Sequence, residues 1–319
     1  MTRRVSRARR TAPAGAARTR VGRGASIAAR VWATARAGGV ALVLLVTGCA
    51  HTGGSGGVTG TADKVPAPDS ITVALWHFDE GAGTRLFDSG PFRLEATAGT
   101  DVRPDFGRIK GARRFQRTLD SFIYVPPNPL LVPQSGFSCE MWIYPTQYGQ
   151  YELTPLAGCW NEQPNQQSWM FALCGLNQRL PVAYLPSPGY FAFAVPNPVP
   201  GLLVFIFEPD VAGAPRTFFS GSAVQLNRWT HVAVTFDDDL VRFWVDGHMD
   251  AQYASPGGIR PSPAPLLMAN YFDLRYLTGF NGTLHANTSD PNPYYAFVGS
   301  MDEVRISSAA RTSFPLREK

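Results

Sequence analysis

Between residues 70 and 313 the chain consists of short runs in which apolar and polar residues alternate, as at 137–143 and 231–236. A period of two is typical of half-buried β-strands. The 27 prolines and 31 glycines break these runs often, and no long stretch has helical periodicity. The pattern predicts an all-β domain, an antiparallel two-sheet sandwich. The residues predicted to face its core are Phe137, Cys139, Met141, Ile143, Val232, Val234 and Phe236.

The positive charge of the chain comes from its first 48 residues. They contain ten arginines and no lysine or acidic residue, whereas the whole chain has 29 basic and 24 acidic residues. Outside this segment 19 basic and 24 acidic residues remain, so the rest of the chain is mildly acidic. An acidic domain lacks the electrostatic footprint of a nucleic-acid-binding protein. We therefore expect no nucleic-acid partner.

An apolar run at residues 39–46 follows the arginines. Its eight residues would rise about 12 Å as a helix, against the roughly 30 Å of a bilayer core, so it cannot span a membrane. It has the length of the apolar region of a signal peptide. The sequence Leu-Val-Thr-Gly-Cys at 45–49 resembles the lipobox of bacterial lipoproteins, which implies that Cys49 is lipidated and becomes the new N-terminus. The alternative is an ordinary secretory leader with an incidental cysteine.

The residues after Cys49 bear on localisation and domain organisation. Ala50 is not the aspartate that retains lipoproteins at the inner membrane of enteric bacteria. We therefore predict a protein lipid-anchored in the bacterial cell envelope, at the outer membrane or cell surface. The next residues are rich in Gly, Ser and Thr and then in Pro, a composition typical of a flexible tether. The predicted segments are a signal peptide at 1–48, the lipidated cysteine and tether at 49–69, a globular domain at 70–313 and a tail at 314–319.

Five short motifs occur in order along the predicted sandwich. They are Trp-His-Phe-Asp-Glu-Gly-Ala-Gly at 76–83, Asp-Ser-Gly at 88–90, Phe-Ser-Cys-Glu-Met-Trp at 137–142, Trp-Thr-His-Val-Ala at 229–233 with Val-Asp-Gly at 245–247, and Gly-Ser-Met-Asp-Glu-Val-Arg-Ile at 299–306. Together they resemble the landmarks of the laminin G-like, concanavalin A-like family. The resemblance implies a jelly-roll sandwich over roughly residues 71–310. The middle at 145–225 and an insert at 254–295 depart from the family pattern, and we expect loops or extra hairpins at the sandwich edge there.

The sequence offers no catalytic carboxylate pair. Retaining glycosidases need two carboxylates about 5–5.5 Å apart, which residues of equal parity on one strand can supply. The nearest candidates, Asp302 with Glu303 and Asp79 with Glu80, are adjacent and would lie on opposite faces of a regular strand. His231 lies opposite the apolar row of its strand and is interpreted as a hydrogen-bonded structural histidine rather than a general base. We therefore predict a protein that is not an enzyme, with a cryptic glycoside hydrolase as an alternative.

Asp302 is the candidate metal ligand of the last predicted strand. It has the parity of Val304 and Ile306, so a regular strand would bury it, and a buried carboxylate must be paired, hydrogen-bonded or metal-bound. The family resemblance implies a structural calcium ion near the first and last strands, with Asp79 at the matching acidic position. Calcium suits such oxygen ligands. The alternative is that Asp302 accepts backbone N–H bonds in the turn at residues 299–300.

Three cysteines remain after Cys49, an odd number for an oxidising compartment. Cys139 shares a strand face with apolar residues and is predicted to be a buried core thiol. Cys159 and Cys174 are 15 residues apart in the middle region, and a disulfide between them would contribute about 3 kcal/mol. The alternatives are that all three are free or that a different pair is bonded.

The two inserts are rich in aromatic residues, whose faces stack on sugar rings. Trp160 precedes a polar stretch that offers no apolar face, and Tyr294 and Tyr295 precede the last strand, where alternation would send at least one ring outward. We predict these three residues as a ligand platform; the alternative is core packing. The predicted function is an envelope-anchored, non-catalytic recognition module that binds carbohydrate or a glycosylated or protein surface partner. The alternative is a structural or assembly lipoprotein without glycan binding.

Overall fold

The structure is a computed structural model, and it describes residues 65–132, 135–161, 163–176, 199–211, 215–237, 239–272, 274–280, 283–286 and 295–316. The chain divides into Met1–Thr59 and Gly60–Lys319, and every described residue belongs to the second unit. The predicted signal peptide and Cys49 lie outside the described residues. Within them, no helix is long and apolar enough to cross a bilayer.

The described residues form eighteen strands and two short 3₁₀ helices, Pro129–Leu131 and Leu274–Tyr276. The strands are β1 (Thr72–Trp76), β2 (Arg85–Leu86), β3 (Ala96–Ala98), β4 (Arg103–Phe106), β5 (Gly111–Phe115), β6 (Ile123–Val125), β7 (Phe137–Gln147), β8 (Leu153–Trp160), β9 (Gln167–Cys174), β10 (Leu202–Phe207), β11 (Arg216–Ala223), β12 (Thr230–Phe236), β13 (Leu240–Val245), β14 (His248–Ala254), β15 (Leu266–Met268), β16 (Leu277–Phe280), β17 (Thr283–Ala286) and β18 (Val298–Ser307).

Two large antiparallel sheets account for most of these strands. Sheet A has the order β14–β13–β12–β7–β18–β5–β4, and β1 also pairs with β18. Sheet B has the order β11–β10–β9–β8–β15–β6–β3–β2, and β16 pairs with β17 separately. The prediction of an all-β, two-sheet antiparallel sandwich is confirmed.

The core lies between the two sheets. All seven residues predicted to face inward from β7 and β12 belong to it. The ring of Phe137 in sheet A lies 4.6 Å from that of Trp169 and 6.0 Å from that of Phe205, both in sheet B. Tilted and offset aromatic pairs of this kind contribute beyond the apolar area that they bury. Because successive side chains of β7 point to opposite faces, Glu140 and Trp142 lie on the outer face of sheet A.

The middle region differs from the prediction of loops or edge hairpins. Its strands β10 and β11 do form a hairpin at the edge of sheet B, but β8 and β9 lie in the interior of that sheet. Every residue of these two strands is buried. One face of each strand packs on sheet A, and the opposite face is also covered by other parts of the protein. The insert at 254–295 similarly contributes β15, which lies between β8 and β6.

Candidate binding site

A cavity of about 510 Å³ lies on the outer face of sheet A. Strands β7, β12 and β18 provide its floor, and residues 65–67 and 314–316, from the two ends of the described chain, form part of its wall. The side chains that bring chemistry to this cavity are Glu140, Trp142, His231, Glu303 and Arg305. The cavity thus combines one aromatic wall with several ionisable groups.

The pairing of β7 with β12 places the side chains of Glu140, Trp142 and His231 close together. Trp142 in β7 lies directly opposite His231 in β12, and their rings are 5.4 Å apart in an edge-to-face arrangement. Phe314 closes the other side, with its ring 5.4 Å from that of His231. The guanidinium of Arg108 lies 4.9 Å from the ring centroid of Trp142, a distance at which cation–π attraction operates.

Glu140 is the centre of a buried charge network. Arg305 donates from Nε to Oε1 at 2.6 Å, and Nε of Arg311 lies 3.4 Å from the same oxygen. The other oxygen, Oε2, lies 3.0 Å from Nε2 of His231. Burial by itself would raise the pKa of Glu140, but the hydrogen bond from His231 and the charges of both arginines hold that pKa below its usual value. Glu140 is therefore an ionised carboxylate whose two oxygens are both bonded.

Strand β18 is irregular at Glu303, one of the residues that line the cavity. The register against β7 shifts between Asp302 and Arg305, so β18 has one residue more than its partner, and Glu303 has φ +53°. A left-handed backbone at a residue other than glycine costs roughly 1–3 kcal/mol and is found mostly at functional sites. The bulge changes the parity of the strand at Asp302, which lies opposite Trp142 and not on the core face of Val304 and Ile306 where the sequence placed it. Glu303 keeps the parity of Arg305 and lines the cavity with it.

Glu303 is 3% exposed, and only one of its two carboxylate oxygens has a hydrogen-bond partner among the described residues. Its Oε2 lies 2.6 Å from Nδ1 of His77, whereas Oε1 has no hydrogen-bond partner in the described part of the chain. Burial raises the pKa of Glu303, and the hydrogen bond to Glu303 raises the pKa of His77. The pair therefore retains a proton to a higher pH than either group would alone.

His231, like Glu303, has one buried polar atom without a hydrogen-bond partner among the described residues. This atom is Nδ1. Because Glu140 is ionised, Nε2 is assigned as the nitrogen that donates to it, and in that tautomer Nδ1 is an acceptor. The predicted structural histidine is confirmed in its hydrogen bond to Glu140. The sequence did not reveal that its other nitrogen belongs to a cavity-lining ring.

The predicted platform residues lie elsewhere, near sheet B. Trp160 is 3% exposed, so its prediction as an accessible platform is wrong. Its ring packs with Met170 and Val204 on the face of sheet B that is turned away from the core. Tyr295 packs partly against this cluster, with its ring 4.8 Å from that of Tyr151. Tyr294 lies outside the described residues.

The polar stretch after Trp160 misled the prediction because it folds back as a tight turn. Asn161 donates its backbone N–H to Gln166 at 2.9 Å, and Gln167 already pairs with Trp160 in the next strand. The polar side chains are bonded within the turn, since Asn161 donates to the side chain of Gln166 at 2.6 Å and Gln167 donates to the carbonyl of Gln163 at 2.8 Å. The tryptophan ring packs on the apolar outer face of β9 and β10.

The predicted Cys159–Cys174 disulfide is wrong in this structure. The three described cysteines are free and buried, and Cys139 is the predicted core thiol. Cys159 lies opposite Trp169 and Cys174 opposite Leu153, at opposite ends of the β8–β9 pair. Cys159 also faces the core, whereas Cys174 faces the outer cluster that contains Trp160. Spacing in the sequence could not reveal that the two side chains lie on opposite faces.

Asp302 is fully buried, as predicted, but under the β4–β5 hairpin. Its Oδ2 accepts from the backbone N–H of Ile109 at 2.8 Å, so the donor is not the turn at residues 299–300. Its Oδ1 has no partner within the described residues, and burial raises its pKa to about 8. This orphaned oxygen is the feature that fits a cation.

The predicted second ligand, Asp79, is already engaged. It accepts from the backbone N–H of Gly111 at 3.0 Å and from Nζ of Lys110 at 3.1 Å. Calcium between Asp79 and Asp302 would have to displace the Lys110 ammonium, whose side chain is 64% exposed and whose ion pair is therefore weak. Within the described residues, no three His, Cys, Asp or Glu side chains group as metal ligands. The calcium site stays a prediction.

Comparison with known proteins bears on the family and the fold. A family model described as the concanavalin A-like lectin/glucanases superfamily matches residues 117–313. Among solved structures, the chain is similar to the binding domain of Paraclostridial Mosquitocidal Protein 1, with 15% identity and a TM-score of 0.51, over 76% of this chain and 50% of that one. The chain thus spans half the length of that structure, and a likeness at this identity concerns the fold alone.

A second similar structure is Domain 4 of AbnA, a GH43 extracellular arabinanase from Geobacillus stearothermophilus, in complex with arabinotriose. It is 18% identical with a TM-score of 0.49, over 76% of this chain and 94% of that one. No curated protein sequence matches the chain.

Proposed function

Because the chain belongs to the concanavalin A-like lectin/glucanases superfamily, we propose that its sandwich is a non-catalytic module that recognises a glycan. The proposed binding site is the cavity on the outer face of sheet A. The observation that carries this proposal is the combination, in one cavity of about 510 Å³, of the Trp142 ring with the buried polar groups of His231 and Glu303.

The size and lining of the cavity suit a sugar. Small-molecule sites are typically concave, about 300–1,000 Å³ in volume, and mostly apolar with a few placed polar groups. A sugar has an apolar ring face that can lie on an aromatic wall such as Trp142, and hydroxyls that require hydrogen-bond partners. Glu303 and His231 offer such partners at the same cavity, since each has a buried polar atom without a partner among the described residues.

The use of the carboxylates favours recognition over hydrolysis. A glycosidase of the usual kind needs two carboxyl groups free to act on one bond. Glu140 has both oxygens bonded to Arg305 and His231 and is held as an ionised structural group. Among the cavity residues described here, Glu303 alone has a carboxylate oxygen without a partner.

We further propose that this module is anchored in the bacterial cell envelope through a lipid on Cys49. The support is the apolar run at residues 39–46, followed by the lipobox-like sequence that ends at Cys49. The Gly- and Pro-rich residues that follow would serve as the tether. A glycan-binding module held in this way would retain a polysaccharide or a glycosylated partner at the envelope.

Affinity electrophoresis of the purified protein through gels that contain neutral, amine-bearing or carboxylated polysaccharides tests the glycan proposal. We expect at least one polymer to retard the native protein and the Trp142→Ala variant to migrate as in a gel without polymer. Trp229→Ala is the matched control, because Trp229 packs on Tyr144, 5.6 Å away, and does not line the cavity. The melting temperature of each variant establishes that it is folded.

Three results would contradict the proposal. If no neutral, amine-bearing or carboxylated polymer retards the native protein, the structural-lipoprotein alternative is favoured. If Trp142→Ala folds and binds normally, the site lies elsewhere. The next candidates are then Tyr295 and the two tyrosines beside it, Tyr151 and Tyr271, whose rings lie 4.8 and 5.6 Å from its ring. Release of reducing sugar from a bound polymer would replace recognition by hydrolysis.

A further inference from the structure

Resting on the proposed function, we infer that the cavity selects its sugar as a hydrogen-bond donor. Its ligand is a neutral or amine-bearing sugar that presents O–H or N–H groups to Glu303 and His231, and carboxylated sugars are disfavoured.

The arginines at the cavity are already bonded to other groups of the protein. The guanidinium of Arg305 bonds Glu140 through Nε and Nη2, both at 2.6 Å. Arg311, behind it, bonds Ser307 and Asp69 as well as lying against Glu140. An incoming carboxylate would therefore have to compete with Glu140 for these groups and would meet the charge of Glu140 itself.

The buried polar atoms of the cavity that have no partner among the described residues are hydrogen-bond acceptors. Oε1 of Glu303 and Nδ1 of His231 have no hydrogen-bond partner in the described ranges, and both residues line the cavity. Each residue is 3% exposed. Buried polar atoms without a partner are rare in folded proteins, and each one requires an explanation. Donor groups from a sugar supply the missing half of both hydrogen bonds, whereas a second acceptor would leave them unmade.

The backbone of β18 has a distinct shape at Glu303. Glu303 shares the cavity side with Arg305, and the extra residue of the strand and the left-handed φ of +53° lie at this point. Bulges re-aim a side chain next to functional sites. His77, whose Nδ1 lies 2.6 Å from Oε2, then fixes the carboxylate so that Oε1 remains for a ligand.

The experiment compares three immobilised polymers of different charge: neutral arabinan, deacetylated chitin with free amines, and polygalacturonate. We expect the native protein to be retained by the neutral or the amine-bearing polymer and to bind polygalacturonate at least about tenfold more weakly, as for the loss of one hydrogen bond with repulsion added. Stronger binding to polygalacturonate would overturn the inference while leaving glycan recognition in place.

Two substitutions test the acceptors themselves. His231→Gln keeps a donor in the position of Nε2 for Glu140 but removes the acceptor at Nδ1. Glu303→Gln keeps an oxygen for His77 and replaces the free acceptor by an amide donor. Each should weaken binding of the retained polymer about tenfold. Glu208→Gln is the matched control, since Glu208 is also 3% exposed, bonds Arg260 through one oxygen, leaves the other unpartnered among the described residues, and does not line this cavity.

The outcomes separate the two proposals. Retention of a polymer with no loss in either folded variant overturns the assignment of the acceptors and leaves the proposed function standing. No retention by any of the three polymers overturns the proposed function, and this inference with it. If a variant shows no thermal unfolding transition, it is not folded and its binding is not interpreted. The comparison of the native protein on the three polymers then tests the inference.

Discussion

Arg305 donates to Glu140 at 2.6 Å across the β7–β18 pair, with both side chains almost fully buried. Removing one partner of such a pair leaves an uncompensated buried charge. We expect Glu140→Ala to lower the free energy of unfolding by about 3–5 kcal/mol, measured by urea denaturation. Because the pKa of Glu140 is held low in the folded protein, the stability that this group contributes is present at neutral pH and is lost as the pH falls through that lowered value.

The control for Glu140 is an ion pair at the surface. Glu95 bonds Arg85 with side chains that are 40% and 66% exposed. Glu95→Ala should therefore cost less than about 1 kcal/mol. A loss of similar size in the two variants would mean that the Glu140 network contributes no more than an exposed pair.

The cysteines give a prediction about chemical reactivity. Burial raises the pKa of the thiols of Cys139, Cys159 and Cys174, which disfavours the reactive thiolate. A thiol reagent should therefore modify none of the three in the folded protein and all three in denaturant, and a reducing agent should leave the melting temperature unchanged. A cross-linked peptide containing Cys159 and Cys174 in a non-reducing digest would restore the disulfide.

Glu152, just before β8, should make stability fall as the pH rises. It is 6% exposed, its carboxylate has no hydrogen-bond partner within the described residues, and burial raises its pKa above the ordinary 4.5. The folded protein thus holds a proton that the unfolded chain releases, so stability declines with pH between 4.5 and the raised folded value. Glu152→Gln should raise the melting temperature at about pH 8 and leave it nearly unchanged at about pH 4. An equal effect at both values would rule out titration as the cause.

Calcium at Asp79 and Asp302 is tested by heating the protein with and without the ion. An ion that binds only the folded state stabilises it in proportion to its occupancy. We expect millimolar calcium to raise the melting temperature of the native protein and to leave Asp302→Asn unaffected. Magnesium is the control, because its preference for near-ideal octahedral geometry suits this loop poorly. No shift with calcium would leave Asp302 as a buried acid stabilised by Ile109 and its proton.

Lipid anchoring is tested by fractionation of cells. Cys49→Ser should move the protein from the membrane fraction to the soluble fraction, because a lipid chain can attach only through the thiol. Cys174→Ser is the control for loss of a cysteine as such, since Cys174 is buried in the folded domain. Unchanged membrane association of the Cys49 variant would contradict anchoring at that residue.

The alternation of residues was enough to predict the sandwich and the inner face of its sheets. Phe137 and Val232 lie in the core as predicted, because the side chains of a strand alternate whatever its neighbours are. The same rule applied to the outer face gives Glu140, Trp142 and His231, so the floor of the cavity could have been identified from parity. The sequence offered no sign that residues 65–67 and 314–316 would build a wall over that face.

What parity could not predict was its own failure at Asp302, which lies opposite Trp142 because of the bulge at residues 302–305. A bulge adds a residue through backbone geometry, and no glycine or proline stands at this position in the last strand. Trp160 shows where composition fails as a predictor. Its polar neighbours in the sequence bond one another in a turn, and its ring packs on an apolar surface contributed by distant strands. Local composition describes the neighbours of a residue in sequence, and burial depends on its neighbours in space.

The cavity has walls made from both ends of the folded domain, and this has a mechanical consequence. In a lipidated protein, residues 49–64 would connect the membrane to the segment at 65–67, and a Gly-rich chain of that length has an average end-to-end distance of roughly 20–24 Å. Tension on that span would act first on the cavity wall, before it reached any strand of the sandwich. A ligand that is pulled away from the envelope would thus transmit force to the cavity wall, because the protein is anchored through that wall. The affinity for the ligand would then depend on the applied force.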